Sequence, residues 1–155
     1  MRTSHDPRKL LESDHTHIES LLRRIEQSIR VDDIRDAEGR WNELETALLA
    51  HLDAEEMFVI PQLMMVNETE ARAILAEHAQ IRGDLGGIGI AFELHTVRAD
   101  AVDSFCTRLR AHAAHEEVVM YPLAEHQLPA PVVRSLIARL RFRPISVRPA
   151  AAATR

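Results

Sequence analysis

The chain has 155 residues, of which 46% are hydrophobic and 28% charged, a composition typical of one globular domain with a sizeable core. The net charge of −5 gives no general attraction to nucleic acid or to an anionic membrane. No apolar run approaches the ~20 residues of a membrane span, so neither partner is expected. The single cysteine, Cys106, excludes an internal disulfide and favours a reducing, cytoplasmic location.

Apolar residues recur at alternating steps of three and four, which predicts four long helices. The repeat averages 3.5 residues, the spacing along the seam of a bundle whose helices cross at roughly 20°. Short turns over residues 30–33 and 95–100 would make consecutive helices antiparallel. The predicted fold is all-α, an antiparallel up-down-up-down four-helix bundle. Its helices are expected around 11–29, 41–62, 74–92 and 102–123.

Proline and glycine mark the ends and the irregular parts of this bundle. Pro61 and Pro122 should end or kink the second and fourth helices, because proline lacks the N–H and clashes with the preceding turn. Four glycines between residues 83 and 89 imply either a closely packed neighbour or a kink in the third helix. A short C-terminal helix is expected over 132–140. The bundle domain is placed at 1–142, followed by a flexible tail at 143–155.

A pattern of histidine and glutamate occurs twice along the chain. Its six members lie in the apolar stripes of the helices, where a carboxylate is costly unless it is paired, protonated or bound to a metal. A histidine and a glutamate four residues apart share one helix face, so both can reach one centre. His15 recurs as His78 after 63 residues, and His51 and Glu55 recur as His112 and Glu116 after 61. This doubling predicts a pair of metal ions held between the two halves of the bundle.

Imidazole and carboxylate ligands together suit iron, zinc or manganese, and a carboxylate can bridge two cations. Four imidazoles and two bridging glutamates give each metal two nitrogens and two oxygens. A solvent-derived oxo or hydroxo bridge would add a fifth ligand. An octahedral ion would then keep one open position for a diatomic molecule or peroxide. The ligand types alone leave iron, zinc and manganese open.

With these residues in place, the chain resembles the hemerythrin-like proteins of the histidine-histidine-glutamate cation-binding type over about residues 7 to 125. The resemblance implies a pair of iron ions, with zinc or manganese less expected, in a non-haem centre ligated by His15, His51, His78 and His112 and bridged by the two glutamates. The oxygen carriers among these proteins are expected to have a further histidine where this chain has Ile74. The ligand set is more similar to that of iron-centre repair proteins linked to nitrosative stress.

The expected function is therefore binding of, or reaction with, oxygen, nitric oxide or peroxide. The alternative is a module that senses or holds iron or zinc without turnover, and an enzymatic role such as peroxide dismutation stays open. The small molecule, the electron donor and the oligomeric state do not follow from the sequence.

Four residues near the pattern have roles that the sequence leaves open. His115 could be an extra ligand, although a supporting or surface position is favoured. Glu56 and Glu117 are duplicated as well, and solvated or supporting roles are favoured for them. For Tyr121, packing is favoured over a hydrogen bond near the metals.

Overall fold

A computed structural model describes residues 6–141, which form seven α-helices and contain no strand. The four long helices are those that the sequence predicts, so the all-α bundle is confirmed. The tail predicted at 143–155 lies outside the described residues. None of the described helices is both long and apolar enough to span a bilayer. The helices are α1 Pro7–Arg30, α2 Ile34–Phe58, α3 Ile60–Val66, α4 Glu68–Glu93, α5 Ala99–Val119, α6 Tyr121–His126 and α7 Ala130–Arg141.

The helix starts and the tight turns have local chemical causes. The side chains of Asp6, Asp33 and Asn67 accept hydrogen bonds from backbone N–H groups in the first turns of α1, α2 and α4. Such caps satisfy donors that have no partner inside the helix. In the two short connections, Asp32 and His95 adopt left-handed φ angles of 59° and 56°. Reversal within so few residues makes α1 antiparallel to α2 and α4 antiparallel to α5.

Pro61 and Pro122 interrupt the second and fourth long helices, as the sequence predicts. Each lies in the first turn of a new short helix, α3 or α6, where a missing N–H costs nothing. The linking residues Val59 and Met120 keep right-handed backbone angles, so the chain bends there and does not reverse. The bundle therefore has two more helices than expected, because each proline divides one predicted helix into two.

The glycine-rich part of α4 is an unbroken helix. A Cβ atom added at Gly83, Gly86 or Gly87 would meet nothing within 4 Å. Only Gly89 has a close neighbour, since a Cβ there would lie 3.5 Å from Nε1 of Trp41. That distance is an ordinary van der Waals contact, so close packing explains none of the four glycines, and we have no structural account of them.

The core consists of two apolar clusters, one towards each end of the bundle. The first surrounds Trp41, whose ring centroid lies 5.7 Å from that of Phe92 and 5.0 Å from that of Phe105. The second gathers side chains from α1, α2, α4 and the short helices, including Leu11 and Leu136. Along each long helix, the members of the duplicated pattern lie between these two clusters. The bundle therefore contains a polar layer bounded by apolar packing on both sides.

Candidate metal centre

The helix register brings the six side chains of the duplicated pattern to one level. α1 contributes His15, α4 contributes His78, and α2 and α5 each contribute a histidine and a glutamate four residues apart. The two glutamates are fully buried, and three of the histidines are at most 4% exposed. The Nε2 atoms of all four rings point towards the two carboxylates.

Four of these side chains form a first group of possible cation ligands: His15, His51, Glu55 and Glu116. Nε2 of His15 lies 3.1 Å from Nε2 of His51 and 3.2 Å from Oε2 of Glu116. Nε2 of His51 lies 3.0 Å from Oε1 of Glu55. The four ligand atoms all lie within 4.8 Å of one another, close enough to surround one ion.

A second group contains His78 and His112 with the same two glutamates. Nε2 of His78 lies 3.0 Å from Oε1 of Glu116 and 3.6 Å from Oε2 of Glu55. Nε2 of His112 lies 2.8 Å from Oε1 of Glu116. Both glutamates belong to both groups. In each of them, one carboxylate oxygen faces the first group and the other oxygen faces the second. Two cations could therefore occupy adjacent positions with the carboxylates between them.

Not every polar atom of the layer has a hydrogen-bond partner. Oε2 of Glu55 and Nε2 of His112 are buried and lack a hydrogen-bond partner of acceptable geometry. A buried polar atom left in this state costs about 1–3 kcal/mol. Cations would bind both atoms and offset the repulsion between two adjacent carboxylates. The residues present therefore fit a pair of bound metal ions.

Without a cation, the two carboxyl groups hold their protons very differently. Burial raises the pKa of Glu55, and the neighbouring charge of Glu116 raises it further. Burial also acts to raise the pKa of Glu116, but hydrogen bonds from three histidines outweigh it and hold that pKa well below its usual value. Burial opposes protonation of His51, yet Glu55 and Asp14 prevail and raise its pKa to about 10. The metal-free layer thus stores protons that a bound cation would displace.

Each of the four histidines directs its outer ring nitrogen, Nδ1, at a carboxylate on a neighbouring helix. A partner of this kind fixes the ring orientation and leaves the opposite nitrogen available to a metal. The Nδ1–oxygen distances are 3.1 Å for His51–Asp14, 2.6 Å for His112–Glu77, 2.9 Å for His78–Glu56 and 3.2 Å for His15–Glu117. These four carboxylates are therefore part of the site's support.

The supporting carboxylates follow the same duplication as the six central residues. Asp14 and Glu77 are 63 residues apart, and Glu56 and Glu117 are 61 apart. The supporting role left open for Glu56 and Glu117 agrees with their contacts. The sequence interpretation gave Asp14 and Glu77 no role, although each directly precedes a histidine of the pattern. That shared position was the signal that could have identified them.

His115 lies outside both ligand groups. Its Nδ1 is 2.8 Å from Glu77 and its Nε2 is 2.9 Å from Glu70, so both ring nitrogens have partners. Its side chain is 27% exposed, in contrast to the buried histidines of the layer. Of the alternatives open for His115, the structure favours a supporting position: it contacts Glu77, which also contacts His112.

Tyr121 combines packing with a polar contact at the centre. Its ring is fully buried in the second apolar cluster. Its hydroxyl lies 2.7 Å from Nε2 of His15 and donates a hydrogen bond to Oε1 of Glu55 at 3.2 Å. The equivalent position in the first half of the chain is Ile60, so this contact occurs at one ligand group only. Burial and the two central carboxylates hold the phenol pKa well above 10, which keeps the hydroxyl protonated.

A cavity of about 850 Å³ opens between α1 and α5 and leads to the polar layer. Of the four central histidines, it reaches His15, His51 and His112. Its inner wall is apolar and includes Leu48 and Leu109. The cavity therefore connects the solvent-facing side of α1 and α5 with the polar layer.

An all-α bundle with imidazoles and carboxylates projecting into its core has the architecture of helix-bundle metal proteins. The chain belongs to the hemerythrin HHE cation-binding domain family, whose profile matches residues 6–95 and again residues 69–143. The two matched ranges share most of α4, which agrees with the doubled pattern in the sequence. No curated protein and no solved structure shows significant similarity to the chain.

Proposed function

We propose that the protein is a non-haem di-iron protein that binds or reacts with oxygen, nitric oxide or peroxide. The observation that carries this proposal is the sharing of Glu55 and Glu116 by two histidine pairs. A single metal would need only one of the groups. Two groups with both carboxylates in common are what a pair of bridged cations requires.

The chemistry of the donors is compatible with iron. Each group offers two imidazole nitrogens and two carboxylate oxygens, a mixture that suits iron, zinc and manganese. His15 and His51 would hold one iron and His78 and His112 the other, with Glu55 and Glu116 common to both. When bound, the iron pair would supply Lewis-acid and electron-transfer chemistry.

The chain itself positions the ligands, shields the centre from water and gives small molecules access to it. Carboxylates on Nδ1 hold the histidine rings with Nε2 towards the centre. The Tyr121 hydroxyl offers a proton donor beside His15 and Glu55. The two apolar clusters exclude water along the bundle axis, while the cavity between α1 and α5 admits small molecules from the side. A site with this access and shielding suits a small, diffusible reactant.

The stoichiometry of iron binding tests the proposal. After anaerobic reconstitution, elemental analysis should give two irons per chain. His15→Ala should lower this value, while His17→Ala, an exposed histidine two residues away on the same helix, should leave it at two. A firm value of one iron in the unchanged protein would contradict the dinuclear proposal.

A zinc-holding or iron-holding module without turnover is the second candidate. It is favoured by the number of ligand atoms, since four per group also satisfy a closed tetrahedral zinc site. Optical spectra of the reduced, iron-loaded protein separate the two. A spectral response to nitric oxide or peroxide supports an open, reactive centre, and release of oxygen from peroxide supports an enzyme. Preference for two zinc ions, with no response to either molecule, supports the holding module.

A further inference from the structure

The two halves of the chain surround the polar layer with different side chains. The duplication relates α1 to α4 and α2 to α5, so the face between α1 and α5 corresponds to the face between α2 and α4. His15 lies on the first face and His78 on the second, at equivalent positions. A comparison of these two faces therefore shows which side chains around the repeated site differ between the two halves.

The face between α2 and α4 is closed. Arg82 on α4 reaches α2, where it donates hydrogen bonds to Asp53 at 2.8 Å and to Glu56 at 3.2 Å. Glu56 in turn contacts Nδ1 of His78 at 2.9 Å. Leu52, beside Asp53, is fully buried and fills the adjoining space. A salt bridge and a large apolar side chain thus stand between His78 and solvent.

The face between α1 and α5 is open at the same level. The positions equivalent to Leu52, Asp53 and Arg82 hold Ala113, Ala114 and Glu19. All three line the 850 Å³ cavity, which continues inwards to His15. Two alanines in place of a leucine and an aspartate leave the space that a salt bridge and a buried side chain occupy on the other face.

The charges around the cavity largely cancel. Arg110 donates hydrogen bonds to both Glu19 and Glu26, with N–O distances between 2.8 and 3.1 Å. Arg23 adds a contact to Glu19 at 2.9 Å. The inner wall is apolar, with Leu22 and Leu48 among its residues. Among the described residues that line the cavity, three arginines are balanced by three glutamates, so there is no excess of positive charge to hold an anion, and the apolar part of the wall favours uncharged molecules.

We propose that the cavity between α1 and α5 is the entry route and binding pocket for external ligands, and that Ala113 sets its width. The ligand class is neutral molecules, from diatomics up to small organic compounds, since the volume lies within the roughly 300–1,000 Å³ of small-molecule pockets. The proposal deepens the proposed function and rests on it for the role of the ligand. The geometry of the route is independent of the metal.

The metal-free protein provides a direct test of the route. Diethyl pyrocarbonate, a neutral organic reagent that modifies imidazole, would be added to it, and modified peptides would be followed by mass spectrometry. His15 should react several-fold faster than His78, although the two occupy equivalent positions. Ala113→Leu, which copies Leu52 of the other half, should slow His15 several-fold, and Ala113→Val should have an intermediate effect.

Two further variants complete this test. Ala111→Leu, at an exposed position on the same helix, should leave the reaction of His15 unchanged. Arg82→Ala should open the other face and accelerate the reaction of His78. Equal rates for His15 and His78 in the unchanged protein, or an unchanged rate for His15 in Ala113→Leu, would overturn the proposal.

The iron-loaded protein separates this proposal from the proposed function. Stopped-flow association of nitric oxide should be several-fold slower in Ala113→Leu than in Ala111→Leu. If the unchanged protein binds nitric oxide and both variants bind it equally fast, the route is wrong and the di-iron proposal stands. If nitric oxide does not bind at all, the proposed function fails, while the reagent test in the metal-free protein still decides the route.

Discussion

The carboxylate behind His112 offers a quantitative test of how the centre is supported. Glu77 accepts from Nδ1 of His112 at 2.6 Å, the shortest of the four contacts of this kind. Loss of such a partner typically weakens metal binding 10–100-fold, or about 1.4–2.7 kcal/mol. Because this contact is the shortest, the loss of metal affinity in Glu77→Ala should be near the upper limit of this range. Glu77→Gln keeps an acceptor but loses the charge, so its loss of affinity should be near the lower limit.

Only one of the two metals should be affected directly, because His112 belongs to one ligand group. Anaerobic titration of iron against a chromophoric chelator should therefore change from two similar affinities to one strong and one weakened step. Glu70→Gln is the matched control. Glu70 contacts His115 at 2.9 Å, none of its hydrogen bonds within residues 6–141 goes to a central histidine, and its exposure equals that of Glu77.

The control variant should change neither affinity measurably. Equal titration curves for Glu77→Gln, Glu77→Ala and Glu70→Gln would refute the reasoning, since they would mean that the Nδ1 contact does nothing for the metal. A folding defect would appear as an altered circular dichroism spectrum of the variant concerned, and an unchanged spectrum shows that the effect is local.

Two further predictions concern the metal-free protein and Tyr121, whose equivalent in the first half of the chain is Ile60. The pKa of His51 is raised from 6.5 to about 10, so its stabilising contribution is complete below pH 6.5 and is lost as the pH rises through about 10. In urea unfolding of the metal-free protein, the free energy of unfolding should accordingly fall as the pH rises through this window. Asp14→Asn should move the fall to lower pH. A free energy of unfolding that is independent of pH would contradict the raised pKa of His51. Tyr121→Phe should change iron affinity more at the group containing His15 than at the other, because the hydroxyl contacts His15 and the oxygen of Glu55 that faces His51. Chelator competition that shows equal changes in both steps would refute this.

Much of the fold could be predicted because it depends on periodic features. Helix positions and bundle register follow from the spacing of apolar residues, and the duplicated spacing brings the six polar side chains to one level. The division at Pro61 and Pro122 was predictable from the missing N–H and the clash with the preceding turn. The helical structure of α3 and α6 was not predictable from the sequence. It depends on the backbone angles at Val59 and Met120 and on packing against the rest of the bundle.

The support of the site was less predictable, because it depends on distances between helices. Which carboxylate meets which Nδ1 is set by side-chain rotamers and by the separation of neighbouring helices, and sequence spacing reports neither. The hydroxyl of Tyr121 shows the same limit. Its position beyond Glu116 favours packing, and the polar contact depends on where α6 places the hydroxyl relative to His15 and Glu55. The open face between α1 and α5 likewise depends on what the small residues Ala113 and Ala114 leave unfilled.

The polar layer also has a consequence for how the chain unfolds. It divides the interior into two apolar units, each with its own contacts, so either end of the bundle can open with its own free energy. All four long helices contribute to the layer, and cations bound there would tie them together at mid-height. Metal binding would then act as a crosslink: opening either end would strain ligands that the other end also holds. The occupied protein would melt as one cooperative unit, whereas the empty one would loosen end by end.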